Sequence, residues 1–301
     1  MNKSDSEVGK HPSETNIEPS KDSPERIRWE SNLALTRRRD DRRKVKAVIL
    51  AGGLGTRLSE ESSMRPKPMV EIGGMPILWH IMKLFYAQGV DDFIICAGYK
   101  QEVIKRWFAE YQLRTSDVTF EFGNDQLASF LASRVESWRV TVVDTGYATM
   151  TGGRLKRIAP LVADAPFFMT YGDGLSDIDL HALAARHRAQ GRTATLTSVK
   201  ATSRFGVLEC DDQGIVKSFR EKAENDGVRI NGGFMVLEPR TLDLIGGDDV
   251  VFEDEPLRKL AADGELSAYR HDGFWACMDT QRDRLMLENL WQRNEAPWKL
   301  W

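Results

Sequence analysis

Val45-Lys46-Ala47-Val48-Ile49-Leu50-Ala51-Gly52-Gly53-Leu54-Gly55-Thr56-Arg57 is a short apolar, β-branched run that passes directly into glycines. The run reads as a buried strand, and the glycines as the loop that ends it. Gly52, Gly53 and Gly55 have no Cβ, so the loop can take positive φ and bring backbone N–H groups close to a ligand. Amides arranged this way suit phosphate oxygens. Arg57 and Lys67 add the positive charge that a triphosphate needs. The stretch therefore predicts a nucleotide site at the carboxyl end of a first strand.

Two familiar phosphate loops do not fit. A Walker A loop requires Gly-Lys followed by Ser or Thr, and here the loop ends Gly55-Thr56-Arg57. The dinucleotide fingerprint requires a third glycine, where Leu58 stands. A glycine-rich turn without a ligand is the plain alternative. Against it stands Lys67 between Pro66 and Pro68, which fix φ on either side and deny a helix, so the lysine is presented from a stiff segment.

Working outward, Ile77 to Gln88 has the apolar spacing of a helix, with Pro76 near its start and Gly89 just past its end. Asp92 to Ala97 reads as a second buried strand and Gln101 to Tyr111 as a second helix. Strands follow at Val118–Phe122, Arg139–Val143 and Phe167–Tyr171, with a helix from about Gly152. This alternation predicts an α/β fold whose mostly parallel sheet is covered by helices. From Thr193 the texture changes. Thr193–Val199, Phe205–Cys210, Ile215–Phe219 and Ile230–Leu237 read as short strands with few helices between them, forming the rest of the sheet and a small β subregion. A last helix is predicted from about Asp283 to Arg293. No internal repeat or heptad pattern is visible.

The 301 residues can bury a substantial core. A formal charge of −3 carries no polyanion signal and argues against nucleic acid as a partner. Cys96, Cys210 and Cys277 are widely spaced and form neither a zinc pattern nor a disulfide framework, and reduced cytoplasmic thiols are expected. The five histidines form no metal motif. No stretch approaches the ~20 apolar residues that span a bilayer, so no membrane association is expected. Residues 1–44 read as a disordered polar and basic extension, rich in Ser, Glu, Lys, Asp and Pro before Arg37-Arg38-Arg39 and Arg42-Arg43-Lys44. Residues 45–301 read as the folded domain.

Two aspartates follow apolar runs. Tyr171-Gly172-Asp173-Gly174 closes one, and Met278-Asp279-Thr280 follows the apolar-aromatic segment Phe274 to Met278. Two separated carboxylates suit Mg²⁺, which keeps water and phosphate oxygens among its ligands. Each alone could equally be a loop-capping aspartate.

KAVILAGGLGTRLSEE…RPKPMVEIGGMPILWHIM (from Lys46) resembles the N-terminal signature of the sugar-1-phosphate nucleotidylyltransferases. Further segments agree in order: DFIICAGYK, VDTG…MTGGRLKR, FMTYGDG, RFGVLE, INGGFMVL, EDEPL, GFWACMDT and APWKLW. Ser59-Glu60-Glu61 after Arg57-Leu58 is similar to the cytidylyl branch, whose relatives elsewhere in the family usually carry a proline there. The resemblance implies a Rossmann-like fold of the nucleotide-diphospho-sugar transferase type, with the small β subregion over the sugar. It implies transfer of a cytidylyl group from CTP to glucose 1-phosphate, with CDP-glucose serving deoxysugar and surface-polysaccharide synthesis. Another base or hexose on the same fold, a catalytically silent nucleotide-sugar-binding protein and a glycosyltransferase of related fold are the alternatives.

The same resemblance implies roles. Arg57 would hold the leaving phosphates, Lys67 would meet the α-phosphate, and Asp173 and Asp279 would hold Mg²⁺. Leu50, Ala51, Gly52, Gly53, Gly55, Thr56, Thr145, Gly153 and Gly172 would surround the nucleotide, and Glu221, Lys222, Asn231 and Gly232 the sugar phosphate. Tyr147-Ala148 and Ala223 depart from the family pattern. So does the extension, read as an added tail or an early start. Trp298 and Trp301 are expected to pack on the core or on a neighbouring subunit, since exposed aromatic clusters are costly. Relatives with this ending form oligomers, so a homo-oligomer, and among these a hexamer, is expected.

Overall fold

The computed structural model describes residues 45–53, 55, 65–122, 127–132, 135–200, 207–210, 216–220 and 229–301. Seven strands form the central sheet, in the order Leu266–Arg270, Ala194–Lys200, Arg229–Leu237, Phe167–Tyr171, Lys46–Ala51, Asp92–Ala97 and Arg139–Asp144. Lys46–Ala51 runs parallel to both neighbours, and Asp92–Ala97 continues parallel to Arg139–Asp144. Only Arg229–Leu237 opposes its neighbours, while Ala194–Lys200 and Leu266–Arg270 are again parallel. The sheet is thus mostly parallel, as expected.

Helices on both faces explain why the first strand is an unbroken apolar run. Ala47, Ile49 and Ala51 point into one core, packed with the helix Ile77–Ala87; Val48 and Leu50 point into the other, with Leu155 and Leu257. The helix Ile77–Ala87 starts at Pro76 and gives way to Gly89 at φ +90°, a left-handed turn that favours glycine.

Several expectations require correction. Val118–Phe122 does not join the central sheet; Asp117–Glu121 pairs antiparallel with Leu127–Ala132 as a separate hairpin. The expected helix to Tyr111 breaks at Glu110 and resumes as Tyr111–Thr115. Leu180–Gln190 is a helix not foreseen, because its buried Leu180 and Leu183 are diluted by His and Arg. Its ends are nevertheless well marked: Asp179 accepts from the Ala182 N–H at 2.9 Å, and Gly191 sits at φ +58°. The helix Glu255–Ala262 and the edge strand Leu266–Arg270 lie where the sequence reading assigned no element. Val207–Cys210 and Val216–Arg220 pair as a small separate sheet.

The aromatic residues near position 300 pack on their own chain. Trp298 is fully buried, stacks on Phe274 and Trp291, and sends its indole N–H to His80 Nδ1 at 3.3 Å. His80 Nε2 in turn donates to the Ile72 carbonyl at 2.8 Å, so the imidazole is neutral and both nitrogens are used. Burial holds its pKa near 4 instead of 6.5. The unfolded chain therefore binds a proton below about 6.5 that the folded chain refuses until about 4. Stability is full above that window and falls as pH drops through it, by up to roughly 3 kcal/mol for this one group. Urea midpoints at pH 7 and pH 5, for the wild type and His80→Gln, test this. The wild type should lose more than the variant, and equal losses would refute the assignment.

Candidate active site

The carboxyl ends of the neighbouring strands Lys46–Ala51 and Phe167–Tyr171 open into a cavity of about 330 Å³. Open α/β sheets place ligands at such ends. Gly172 joins the two strands there, its N–H on the Leu50 carbonyl at 2.9 Å. A Cβ at Gly172 would come within 2.8 Å of Pro68, so the glycine permits this approach.

Asp173 and Asp279, 106 residues apart by numbering, meet because the backbone around them is paired. Gly174 lies opposite Cys277 in a two-stranded ladder, and the Met278 N–H reaches the Asp173 carbonyl at 2.9 Å. Beyond Asp279, Thr280 caps the helix Gln281–Gln292 through a reciprocal capping box with Asp283. Lys67 opens a single 3₁₀ turn, Lys67–Met69, after Pro66. Its ammonium lies 2.5 Å from Asp173 Oδ2 and 2.7 Å from Asp279 Oδ1. Burial alone would lower the lysine pKa, but the Asp173 and Asp279 carboxylates outweigh it and hold the amine protonated.

Asp173, Cys277 and Asp279 offer ligand atoms within 4.8 Å of one another. Burial first, and then the Asp173 charge, push the Cys277 thiol up, so it is a neutral sulfur at pH 7. Two hard carboxylates beside a protonated thiol fit a hard divalent cation better than a thiophilic one.

The glycine loop is pinned from below by Arg154, which the sequence did not single out. Arg154 is almost fully buried on the helix Thr151–Arg157. Its guanidinium donates to the Gly52 carbonyl at 2.9 Å, to Thr145 Oγ1 and the Gly146 carbonyl at 2.8 Å each, and to the Ala97 carbonyl at 3.3 Å. One side chain thereby ties together the ends of three adjacent strands. A Cβ at Gly52 would lie 2.1 Å from its Nη1. The pair Gly152-Gly153 just before it lies so close to the 248–250 backbone that a Cβ on either would come within 2.7 Å of it.

Glu253 was also missed, although it lies in the EDEPL segment. Its carboxylate accepts from the Tyr171 hydroxyl and, at 2.5 Å, from the Thr151 hydroxyl, and both of those residues line the cavity. Burial raises the Tyr171 pKa, and the Glu253 charge raises it further.

Of the residues expected around the nucleotide, Leu50, Ala51, Gly52, Gly53, Gly55, Lys67 and Gly172 line this cavity, as do the expected cation ligands Asp173 and Asp279. Gly55 has φ +64°. Thr145 and Gly153 do not line it. The Thr145 hydroxyl is spent on the Ala97 carbonyl and Arg154, and Gly153 packs on Asp248. Of the residues expected around the sugar phosphate, Asn231 accepts at Oδ1 from the Gly233 N–H at 2.9 Å beside Tyr171, and the Gly232 carbonyl accepts from Trp275 at 2.7 Å. Thr56, Arg57, Glu221 and Lys222 lie outside the described residues. No helix among the described residues is long and apolar enough to cross a membrane.

A nucleotidyl transferase family model matches residues 46–276. The chain is 55% identical over 258 residues to the glucose-1-phosphate cytidylyltransferase of Salmonella typhi, covering 85% of this chain and 100% of that protein. It is 43% identical, with the same coverage, to the probable glucose-1-phosphate cytidylyltransferase of Bacillus subtilis. The crystal structure of HddC from Yersinia pseudotuberculosis, complexed with GMP-PN, shares the fold with a TM-score of 0.61 at 24% identity, over 82% of this chain and 99% of that one.

Proposed function

The chain belongs to the nucleotidyl transferase family, and from that premise we propose that it transfers the cytidylyl group of CTP to glucose 1-phosphate. A phosphate oxygen of the sugar phosphate attacks the α-phosphorus, the bond from that phosphorus to the β-phosphate bridging oxygen breaks, and pyrophosphate leaves with CDP-glucose as the other product. What supports this reading is the meeting of Lys67, Asp173 and Asp279 beside the glycine loop, in a chain 55% identical to glucose-1-phosphate cytidylyltransferases over their full length.

Such a transfer needs positioning and charge neutralisation more than covalent help. The loop from Gly52 to Gly55 offers amides to the nucleotide, with its floor held by Arg154. Lys67 meets the α-phosphate region, where charge builds as the new bond forms. Arg57 and Thr56 are assigned to the leaving phosphates, and Thr145 and Gly153 to the support of the base region. Asn231, Gly232, Glu221 and Lys222 are assigned to the sugar phosphate. Mg²⁺ is the cation proposed for Asp173 and Asp279, and when bound it neutralises phosphate oxygen charge.

Pyrophosphate release from the purified protein with Mg²⁺ and glucose 1-phosphate, given CTP, UTP, dTTP or GTP in turn, tests the reading. CTP should turn over far faster than the others, and EDTA should abolish the reaction. Preference for another triphosphate would reject the cytidylyl assignment and keep the chemistry.

The same reading places the enzyme in the cytoplasm as a homo-oligomer. The hairpin of Asp117–Glu121 and Leu127–Ala132 supports self-association, because it stands apart from the central sheet with Phe122 80% and Leu131 73% exposed. Large apolar side chains exposed in this way mark interaction surfaces.

A further inference from the structure

The two carboxylates assigned to the cation are already met by a charge from within the chain. One ammonium, that of Lys67, stands in contact with one oxygen of each, and the lysine side chain is only 13% exposed. The backbones carrying the three groups are tied down. The lysine turn is closed by the Met69 N–H on the Pro66 carbonyl at 2.8 Å, with Pro66 and Pro68 stiffening both sides. Asp173 and Asp279 are cross-linked through Met278 and through the Gly174–Cys277 pairing. What remains free to swing is the lysine side chain, a flexible four-carbon stem with a compact charge at its tip.

A divalent ion needs these same oxygens. It cannot share them with an ammonium at contact distance, because like charges held together in a half-buried site repel strongly. Two carboxylates and one ammonium leave a single net negative charge. Adding a divalent ion beside the ammonium would reverse that sign with no anion to absorb it. A triphosphate supplies the missing anion and, on the reading above, offers the lysine a second station at the α-phosphate.

We propose that Lys67 is a resident placeholder for the divalent cation: it occupies the Asp173–Asp279 pair in the free protein and yields it only when the triphosphate takes its ammonium. This rests on the cation assignment made above. The cation then enters with the nucleotide and does not load beforehand. Removing the lysine charge has opposite effects on two measurable quantities, tightening cation binding while impairing turnover.

Mn²⁺ binding to the full-length protein, followed by the electron paramagnetic resonance of free Mn²⁺, tests this without any turnover. Lys67→Met should bind Mn²⁺ at least roughly tenfold tighter than wild type in the absence of nucleotide, the scale of one close charge–charge contact. Lys67→Arg, which keeps the cation, should stay weak, and CTP with wild type should remove more free Mn²⁺ than the same CTP removes without protein. Equal or weaker binding by Lys67→Met overturns the placeholder and leaves the cation assignment standing. Absence of binding in every variant, with CTP present, overturns the cation assignment and the placeholder with it.

Should Lys67→Met fail to fold, the wild-type lysine ammonium signal in ¹H–¹⁵N spectra decides. A signal unmoved by Mg²⁺ alone but shifted by Mg²⁺ with CTP supports the placeholder; a shift with Mg²⁺ alone overturns it.

Discussion

Lys67→Ala is expected to fold and to lose roughly 10²–10³-fold in kcat, the usual effect of deleting one fixed charge that meets developing transition-state charge. The argument starts from the stiffness of the segment. Pro66, the 3₁₀ turn and Pro68 place the lysine Cα independently of its side chain, so truncation does not disturb the backbone. The two carboxylates it leaves behind are partly exposed, with side-chain accessibilities of 25% for Asp173 and 20% for Asp279, so water and the cation can compensate them. The loss should therefore appear in turnover and not in the melting temperature. Steady-state kinetics at saturating CTP and Mg²⁺, together with a melting curve, check both halves. A near-normal kcat would remove Lys67 from the mechanism.

Arg154→Met should behave in the opposite way, with stability failing first. Methionine keeps the apolar stem but removes every donor, leaving the Gly52, Gly146 and Ala97 carbonyls and the Thr145 hydroxyl to find new partners in a buried place. The expected cost is roughly 3–5 kcal/mol, since each buried acceptor stripped of its partner costs about 1–3 kcal/mol and the site relaxes in part. For a domain of this size that is a fall in Tm of about 6–20 °C. Surviving protein should show a raised KM for the triphosphate, because the loop floor has lost its anchor. Arg154→Lys should recover little, as one ammonium cannot reach acceptors spread over three strand ends. A variant as stable as wild type would refute the anchoring role.

How much of this could be read from the residues alone depended on how local each signal was. The strands Asp92–Ala97 and Phe167–Tyr171 match their expected bounds because an apolar run buried on both faces is visible in a few consecutive residues. The hairpin at Asp117–Glu121 was misassigned for the complementary reason: its alternation is that of a strand, but which strand it pairs with is a long-range fact. The helix Leu180–Gln190 lacked a clear apolar stripe, and the better clue, Asp179 before it with Gly191 after it, was one of caps. In the site, Lys67, Asp173 and Asp279 carried local signals, namely flanking prolines and apolar runs ending in a carboxylate. Arg154 and Glu253 carried none. Their work is done through partners such as Gly52, 102 positions away from Arg154, and Tyr171, 82 positions away from Glu253, and no window of sequence contains both ends.

The packing of Trp298 against His80 bears on how the protein is made. A ribosome delivers the chain from its amino end, so the hollow beside the helix Ile77–Ala87 emerges 218 residues before the indole that fills it. Through that interval a growing polypeptide presents His80 and the apolar wall around it without the Trp298 indole, which is the kind of surface that holding chaperones recognise. Closure of this part of the core therefore waits until position 298 has emerged. A nascent chain stalled before position 298 should remain bound to such a chaperone, and one carried past it should let go.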